Sequence, residues 1–368
     1  MQAHLPDPRD ERGKRHNLAF VLTSLLWALL RCGGQLSISR LHRWLVREHD
    51  WLVDQTGEMS RKAISHSQLR RVLADLDYTR YNGLSEEFFG WSAQVEGVWR
   101  SVDGKELRGS INGVSGQKRG EVLVRLVGHE DALAQVLGFY QGQKESERTL
   151  VEEYIQAQST GSLQGECWSL DALFATPALL RALQEAGVNY VVGLKANQAE
   201  LLTQAQALRE GEAHFDWAQL EKGHGRVEQR HYQGYELPLW QVDARWDRSG
   251  LVSIVWVERN RFRTKDGKTT QESCCFVSNV NLEGLGGLVL AGAIRNHWRI
   301  ESDHYVRDTT AGEDGIRCGH GNRLRSVASV LNVGLNLLRA ADRKGNLRAY
   351  WEDCSADRQN VVDSWRRT

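Results

Sequence analysis

Three acidic residues have the type and the setting to act together. Asp103 follows Val98-Trp-Arg-Ser-Val102, Asp171 follows Cys167-Trp-Ser-Leu170, and Glu301 follows Arg295-Asn-His-Trp-Arg-Ile300. They lie so far apart in the chain that only a folded sheet could gather them. Carboxylates collected in this way suit phosphoryl transfer. Two Mg²⁺ or Mn²⁺ ions about 4 Å apart need hard oxygen ligands, and few protein carboxylates suffice because substrate phosphate and water complete the shells. One ion activates the attacking oxygen and the other stabilises the leaving one. Each residue also has a plainer reading. Asp103-Gly104 is a common hairpin-turn dipeptide, Asp171 before Ala172 could cap a helix, and Glu301 beside His297, Arg299 and His304 could belong to a surface charge network. Two acids about 5–10 Å apart in a sugar cleft would instead hydrolyse glycosides without metal, although the Lys and Arg residues near these acids favour a phosphate. Spacing alone leaves these alternatives open.

The elements that must position the three acids read as follows. Residues 1–15 are polar and hold two of the four prolines, which suggests a loose arm. From Asn17 to about Gly90 the pattern is helical: Leu18, Val21, Leu22, Leu25 and Leu29 share one face, Ile38 to Val53 repeats the rhythm after Gly33-Gly34, and a third helix opens at Ser65 or Ser67. Arg70 and Arg71 make that third helix basic, which is compatible with a DNA-contacting head and equally with a plain bundle. From Gly97 onward the rhythm changes. Val98 to Asp103, Glu121 to Val127 and Ala134 to Phe139 read as strands, Ser146 to Ala157 as a helix, Cys167 to Asp171 as a strand, Pro177 to Ala186 as a helix, and Tyr190 to Leu194 as a strand. This order predicts a mixed sheet covered by helices. About 215–280 is β-like and polar, with strands at Val252–Val257 and Ser273–Val277 and a turn at Lys265-Asp-Gly267. Helices return over Leu288 to about Asp308 and over Leu324 to Ala341.

Composition narrows the class without deciding it. With 41% hydrophobic and 26% charged residues, the chain has the make-up of a soluble globular protein. Lys and Arg number 47, as do Asp and Glu, so any polyanion-binding surface must be local. One candidate is 315–350, where Arg317, Arg323, Arg325, Arg339, Arg343, Lys344 and Arg348 face only Asp342; a solvated helix face is the competing reading. Six cysteines without a CxxC spacing indicate neither a zinc site nor a disulfide scaffold, which fits a reducing cytoplasm. The apolar run Leu18 to Leu30 follows a basic stretch, but no small-residue cleavage site succeeds it, and it is shorter than the ~20 residues needed to span a bilayer. A buried helix is expected there, and no membrane association.

Five motifs, in order, carry a family resemblance. Val102-Asp-Gly-Lys-Glu-Leu-Arg-Gly-Ser110, Asp171-Ala-Leu-Phe-Ala-Thr176, Tyr190-Val-Val-Gly-Leu-Lys-Ala-Asn-Gln198, Arg295-Asn-His-Trp-Arg-Ile-Glu301 and Gly312-Glu-Asp314 resemble the motifs of bacterial DDE insertion-sequence transposases, in the group containing the H-repeat-associated proteins. Asp7 to Arg15 and the helices after it resemble the associated N-terminal domain of that family. The resemblance implies an α/β fold with a ribonuclease-H-like mixed sheet flanked by helices, a helical N-terminal domain, and a β-rich insertion before the glutamate helix. The expected domains are 1–92, a catalytic core over 93–345 with its insertion at about 210–285, and a C-terminal tail over 346–368. It also implies that Asp103, Asp171 and Glu301 are the catalytic metal ligands, for a two-metal Mg²⁺ or Mn²⁺ site. The partners would be double-stranded DNA with terminal inverted repeats, then target DNA, on which the protein would assemble as a homo-oligomer. In one place the chain departs from the pattern: His304-Tyr305 begins three residues after Glu301 rather than four, and Ala311 replaces a Phe. An inactive copy that binds DNA without cleaving it is therefore the alternative function.

Further residues are candidates for DNA contact. Lys105 and Arg108 could hold phosphates near the metals or sit on a solvent-facing turn. Lys195, Asn197 and Gln198 leave a strand where ligands gather in such sheets, though Asn197 before Glu200 could also start a helix. Arg295 and His297 precede Glu301. His297, four residues before it, could touch DNA, orient the carboxylate, or be a buried structural histidine. Lys144 and Glu147 match the family pattern without an evident chemical role.

Overall fold

The computed structural model describes residues 4–10, 14–91, 97–111, 119–141, 146–223, 225–238, 242–318, 321–342 and 345–367. In chain order it opens with α1 (Leu18–Arg31), α2 (Ile38–Thr56), α3 (His66–Asp75) and α4 (Tyr78–Phe89). There follow β1 (Trp99–Leu107), β2 (Glu121–Gly128), β3 (Ala134–Gln141), α5 (Ser146–Ala157), β4 (Cys167–Leu170), α6 (Pro177–Glu185), β5 (Asn189–Leu194) and α7 (Ala199–Leu208). The rest comprises β6 (Phe215–Gly223), β7 (Arg226–Glu236), β8 (Ser253–Arg263), β9 (Thr269–Ser278), α8 (Gly286–Asn296), α9 (Arg299–Tyr305), a π-helical turn (Val306–Ala311), α10 (Gly321–Ala341), α11 (Leu347–Ala356) and α12 (Arg358–Arg367). The fold is mixed α/β. Among the described residues the strands form a nine-stranded sheet in the order β3-β2-β1-β4-β5-β9-β8-β7-β6.

The chain divides into two compact units. One comprises Met1–Ala93, Gly104–Glu147 and Ile300–Thr368; the other comprises Gln94–Asp103 and Arg148–Arg299. Strand β1 runs through both, so its first part pairs with β4 inside the second unit while its later part belongs to the first.

In the first unit the helices bury the apolar stripes that the sequence marks. Asn17 caps α1 by accepting from the Ala19 amide, and nearly every residue of α1 is buried. Ser37 and Ser65 cap α2 and α3 in the same way. Helix α10 comes close enough to α1 that a Cβ on Gly334 would lie 2.4 Å from Leu29 Cδ2. Its Asn332 and Asn336 amides donate to the Ala134 carbonyl at 2.6 and 2.9 Å, tying α10 to the start of β3. No described helix is long and apolar enough to cross a membrane.

In the second unit, β1, β4 and β5 run parallel and β9, β8, β7 and β6 continue antiparallel. Helix α8 lays Leu290, Ala291 and Ile294 on Val191, Tyr232, Val255 and Val257 of the sheet. Fully burying a side chain the size of Leu290 or Ile294 stabilises by about 1.5–3 kcal/mol.

Three local expectations change. Asp103-Gly104 is not a turn: β1 continues to Leu107. Gly104 is needed there for close approach, because a Cβ would meet Glu147 Oε1 at 2.0 Å and Val122 Cγ1 at 2.9 Å. The helix expected from Leu288 to Asp308 is broken after Asn296. Ser101 Oγ donates to the His297 carbonyl at 3.0 Å, an oxygen that a continuous helix would give to its own ladder. Finally, part of the basic stretch 315–350 is paired within the first unit: Arg325 with buried Glu121, Arg339 with buried Asp303, and Arg348 with exposed Glu352. Arg343 and Lys344 lie outside the described residues.

Candidate active site

The parallel register of β1 and β4 sets Val102 opposite Leu170, so Asp103 and Asp171 follow one another across the strand pair at the carboxyl end of β4. Side chains alternate along a strand, so both aspartates share a face with Ser101 and Ser169, two residues earlier. That face is closed by a hydrogen-bonded group. Ser169 Oγ donates to Ser101 Oγ at 3.2 Å and lies 3.0 Å from His297 Nδ1. Burial pushes the His297 pKa down, and the negative charge of Asp171 and the contact with Ser169 offset this only in part, so the ring is neutral at pH 7. The site of the second unit is therefore two carboxylates, two hydroxyls and a neutral imidazole.

The turn after Asp171 is fixed from two sides. Asp171 Oδ1 accepts from the Leu173 amide at 2.8 Å, which leaves the rest of the carboxylate's acceptor capacity for other partners. Asn197 Nδ2 donates to the Ala172 carbonyl at 2.9 Å, so Asn197 holds this turn. Gly193 lets β5 pass close to it, since a Cβ there would lie 3.2 Å from the Ala172 nitrogen. The capping role foreseen for Asp171 is thus real, and it orients the carboxylate.

Glu301 belongs to the first unit, exposed in the first turn of α9. Two residues on, Asp303 is buried and paired with Arg125, Arg307 and Arg339. Burial alone would raise its pKa, but the three guanidiniums prevail and hold it far below the usual carboxylate range. Arg307 also reaches Glu313 at 2.8 Å and Asn332 Oδ1 at 2.5 Å. His304 is kept neutral: burial first, then Arg125, lowers its pKa to about 3.

The remaining candidates fall into different places. Lys105 is not on a solvent-facing turn and its amine does not point to an open phosphate site. It is buried, with Nζ 2.6 Å from Asp308, 3.0 Å from Asp314 and 3.3 Å from Glu313. Burial disfavours the ammonium, yet Glu313, Asp308 and Asp314 outweigh it and raise its pKa. Arg108 is exposed, 3.7 Å from Asp314. Lys195 is exposed at the end of β5. Arg295 is half-buried and bound through two nitrogens to Glu221, at 2.8 and 3.2 Å. Lys144 lies outside the described residues, while Glu147 is buried beside Gly104. Sequence reasoning passed over Ser101 and Ser169. A signal existed, because Ser-Val-Asp and Ser-Leu-Asp repeat the same Ser-x-Asp pattern at both strands. Nothing comparable marks Asp303 and Arg125, whose partners come from distant segments.

Among the described residues, no group of three or more His, Cys, Asp or Glu side chains is arranged to hold a metal ion. What the second unit provides is a pair of hard oxygen donors on one face, compatible with a divalent cation whose other ligands are water and phosphate.

Comparison with known proteins adds to this picture. Residues 141–324 match the family model described as the transposase DDE domain, and residues 2–91 match the model of the domain associated with it. The protein named "H repeat-associated putative transposase YhhI", from Escherichia coli strain K12, is 23% identical over 97% of this chain and 94% of its own length. "Putative transposase YncI" from Escherichia coli O157:H7 is 22% identical over 94% of this chain and 88% of its own. Among solved structures, a piggyBac transposase synaptic complex with hairpin DNA matches at 12% identity and a TM-score of 0.37, covering 95% of this chain and 76% of that one, which is too remote to inform the fold. The ordered motifs and a family match spanning half of the sequence agree, and the chain belongs to the DDE transposase family.

Proposed function

We propose that the protein cleaves and joins DNA strands at the ends of an insertion sequence, with Asp103, Asp171 and Glu301 as the acidic residues of its active site. The observation that supports this most directly is the placement of Asp103 and Asp171 as neighbours on one face of β1 and β4. Their carboxylates would hold Mg²⁺ or Mn²⁺, with Glu301 as the further ligand on a ribonuclease-H-like core. When bound there, the ions would supply Lewis-acid stabilisation and an activated water or hydroxyl. The chain's own groups do the rest. The Leu173 amide and Asn197 fix the direction of Asp171. Ser169 binds one nitrogen of the neutral His297, leaving the other for a substrate oxygen or an outer-sphere ligand. Arg108 and Lys195, both exposed, would contact phosphates in this reading. The DNA partners in this reading are terminal inverted repeats and a target duplex, engaged by an oligomer of the chain.

The test is cleavage and joining of DNA carrying the element's ends, by wild type and by Asp171→Asn, Asp103→Asn and Glu301→Gln, in Mn²⁺ and in excess chelator. Cleavage by wild type alone, abolished by chelation while DNA binding persists, is the expected result. Equal behaviour of wild type and the three variants refutes the catalytic assignment. If all four still bind DNA, the chain is a non-enzymatic DNA-binding copy.

A further inference from the structure

We infer that one face of the β6–β9 ribbon is a second contact surface, built to track the phosphodiester backbone of DNA away from the reacting carboxylates. This rests on the function proposed above, since it assumes a DNA partner. The cross-strand register carries the inference. Gln219, Arg230, Arg259 and Glu272 lie in one row; Glu221, Glu228, Arg261 and Thr270 lie in the row two residues on; Arg226 and Arg263 pair beyond it. Rows two apart share a face, so five arginines project on the same side, and Arg295 of α8 joins them through Glu221. The intervening rows, Leu220-Gln229-Asn260-Gln271 and Lys222-Val227-Phe262-Thr269, hold a single charge.

The arginines are also held in order. Glu228 is buried and receives Arg226 and Arg261 at 3.4 Å and Arg259 at 4.0 Å, as well as Arg230. Glu221 binds Arg230 at 2.9 Å and Arg295 at 2.8 Å, and these guanidiniums bring its pKa to about 2. Arg259 additionally pairs with Glu272, and Arg263 with Asp266 in the β8–β9 turn at 3.2 Å. Six guanidiniums thus meet four carboxylates, so positive charge is left over. Arg230 is buried and gives both terminal nitrogens to Glu221 and Glu228, whereas the more exposed forks of Arg226, Arg261 and Arg263 have donors beyond those their carboxylates use; with their orientation already fixed, less entropy is lost on binding a phosphate. The face lies in the same unit as Asp103 and Asp171. The Arg259 guanidinium lies 5.6 Å from the ring centre of exposed Trp298, the residue after His297.

The experiment measures binding of the full chain to duplex and single-stranded DNA across salt concentrations. It compares wild type, a triple variant Arg226→Ala/Arg261→Ala/Arg263→Ala, and a control on the other face, Lys222→Ala/Gln229→Ala/Gln271→Ala. Each lost contact removes about 0.9 from the slope of log affinity against log salt on duplex DNA, so three lost contacts shrink the affinity change between about 50 and 200 mM salt by roughly 40-fold. The triple variant should weaken binding irrespective of sequence and flatten the salt dependence, while the control matches wild type. Glu272→Gln, which removes an acid competing for Arg259, should tighten binding. A triple variant with the wild-type slope, a control that loses as much, or Glu272→Gln that weakens binding overturns the inference. Asp171→Asn separates this from the active-site reading: it should lose cleavage and keep the salt slope. Cleavage lost in Asp171→Asn together with an unchanged slope in the triple variant sinks the ribbon proposal alone; wild type that binds no DNA sinks both.

Discussion

Asp303 is the sharpest point at which to perturb the first unit. Its carboxylate stands among three guanidiniums, two of which, those of Arg125 and Arg307, are 0% exposed. Even with the carboxylate in place, burial and then repulsion from Arg307 pull the Arg125 pKa down to about 10. Replacing Asp303 with Asn keeps the volume and removes the charge that makes this arrangement tolerable. Breaking a buried ion pair at one partner costs about 3–5 kcal/mol, because the remaining charge stays desolvated without compensation. Urea unfolding of Asp303→Asn should show a loss of that size, and hydrogen exchange should localise it to β2, α9 and α10. The double variant Asp303→Leu/Arg125→Met should lose less than the sum of its single changes, since each removes what the other would strand. A loss below about 1 kcal/mol in Asp303→Asn, or strict additivity in the double variant, would refute the reasoning.

Two other outcomes are expected. His304, with its pKa lowered to about 3, binds a proton in the unfolded chain at a pH where the folded protein excludes it. Stability is therefore complete above about pH 6.5 and falls as pH drops toward 3, by about 2 kcal/mol between pH 7 and pH 5. His297 acts in the same direction. Urea midpoints at the two pH values measure the fall, and His304→Leu should reduce it; an unchanged slope would show that His304 is not the source. Gly104→Ala would place its Cβ 2.0 Å from Glu147 Oε1 and 2.9 Å from Val122 Cγ1. Overpacking of that kind costs about 1–3 kcal/mol, and because Gly104 adjoins Asp103, DNA cleavage should fall further than stability, as parallel unfolding and cleavage assays would show.

Much of both units was legible because it depends on local pattern. Short apolar runs gave β2, β3, β4 and β5, the apolar rhythm after Gly33-Gly34 gave α2, and a serine gave the start of α3. Bringing Asp103 beside Asp171 required that their strands be parallel neighbours in register, which the expected mixed sheet allowed without specifying. What stayed hidden depends on partners that are remote in sequence. Lys105 reads as a solvent-facing cation until Asp308, Glu313 and Asp314 surround it, and Arg295 reads as an isolated cation until Glu221 ties it to the arginines of the ribbon. Hydrophobic periodicity continues across His297, so the sequence could not reveal that Ser101 takes the carbonyl there.

The same remoteness explains how a chain with no net charge can serve a polyanion. Basic residues in 315–350 lie close together in sequence, yet Arg325 and Arg339 bind buried acids of other segments and contribute little outward potential. The arginines of β7 and β8 are scattered in sequence among Gln, Val and Tyr and look unremarkable there. Antiparallel pairing collects them on one face, around glutamates too few to neutralise them. A charge run therefore predicts a surface only when its counter-charges are known, and in this fold the counter-charges are arranged by the sheet. Reversing the excess, by Arg261→Glu with Arg263→Glu, should consequently impair DNA binding far more than reversing Arg325, whose loss should appear as instability of the first unit.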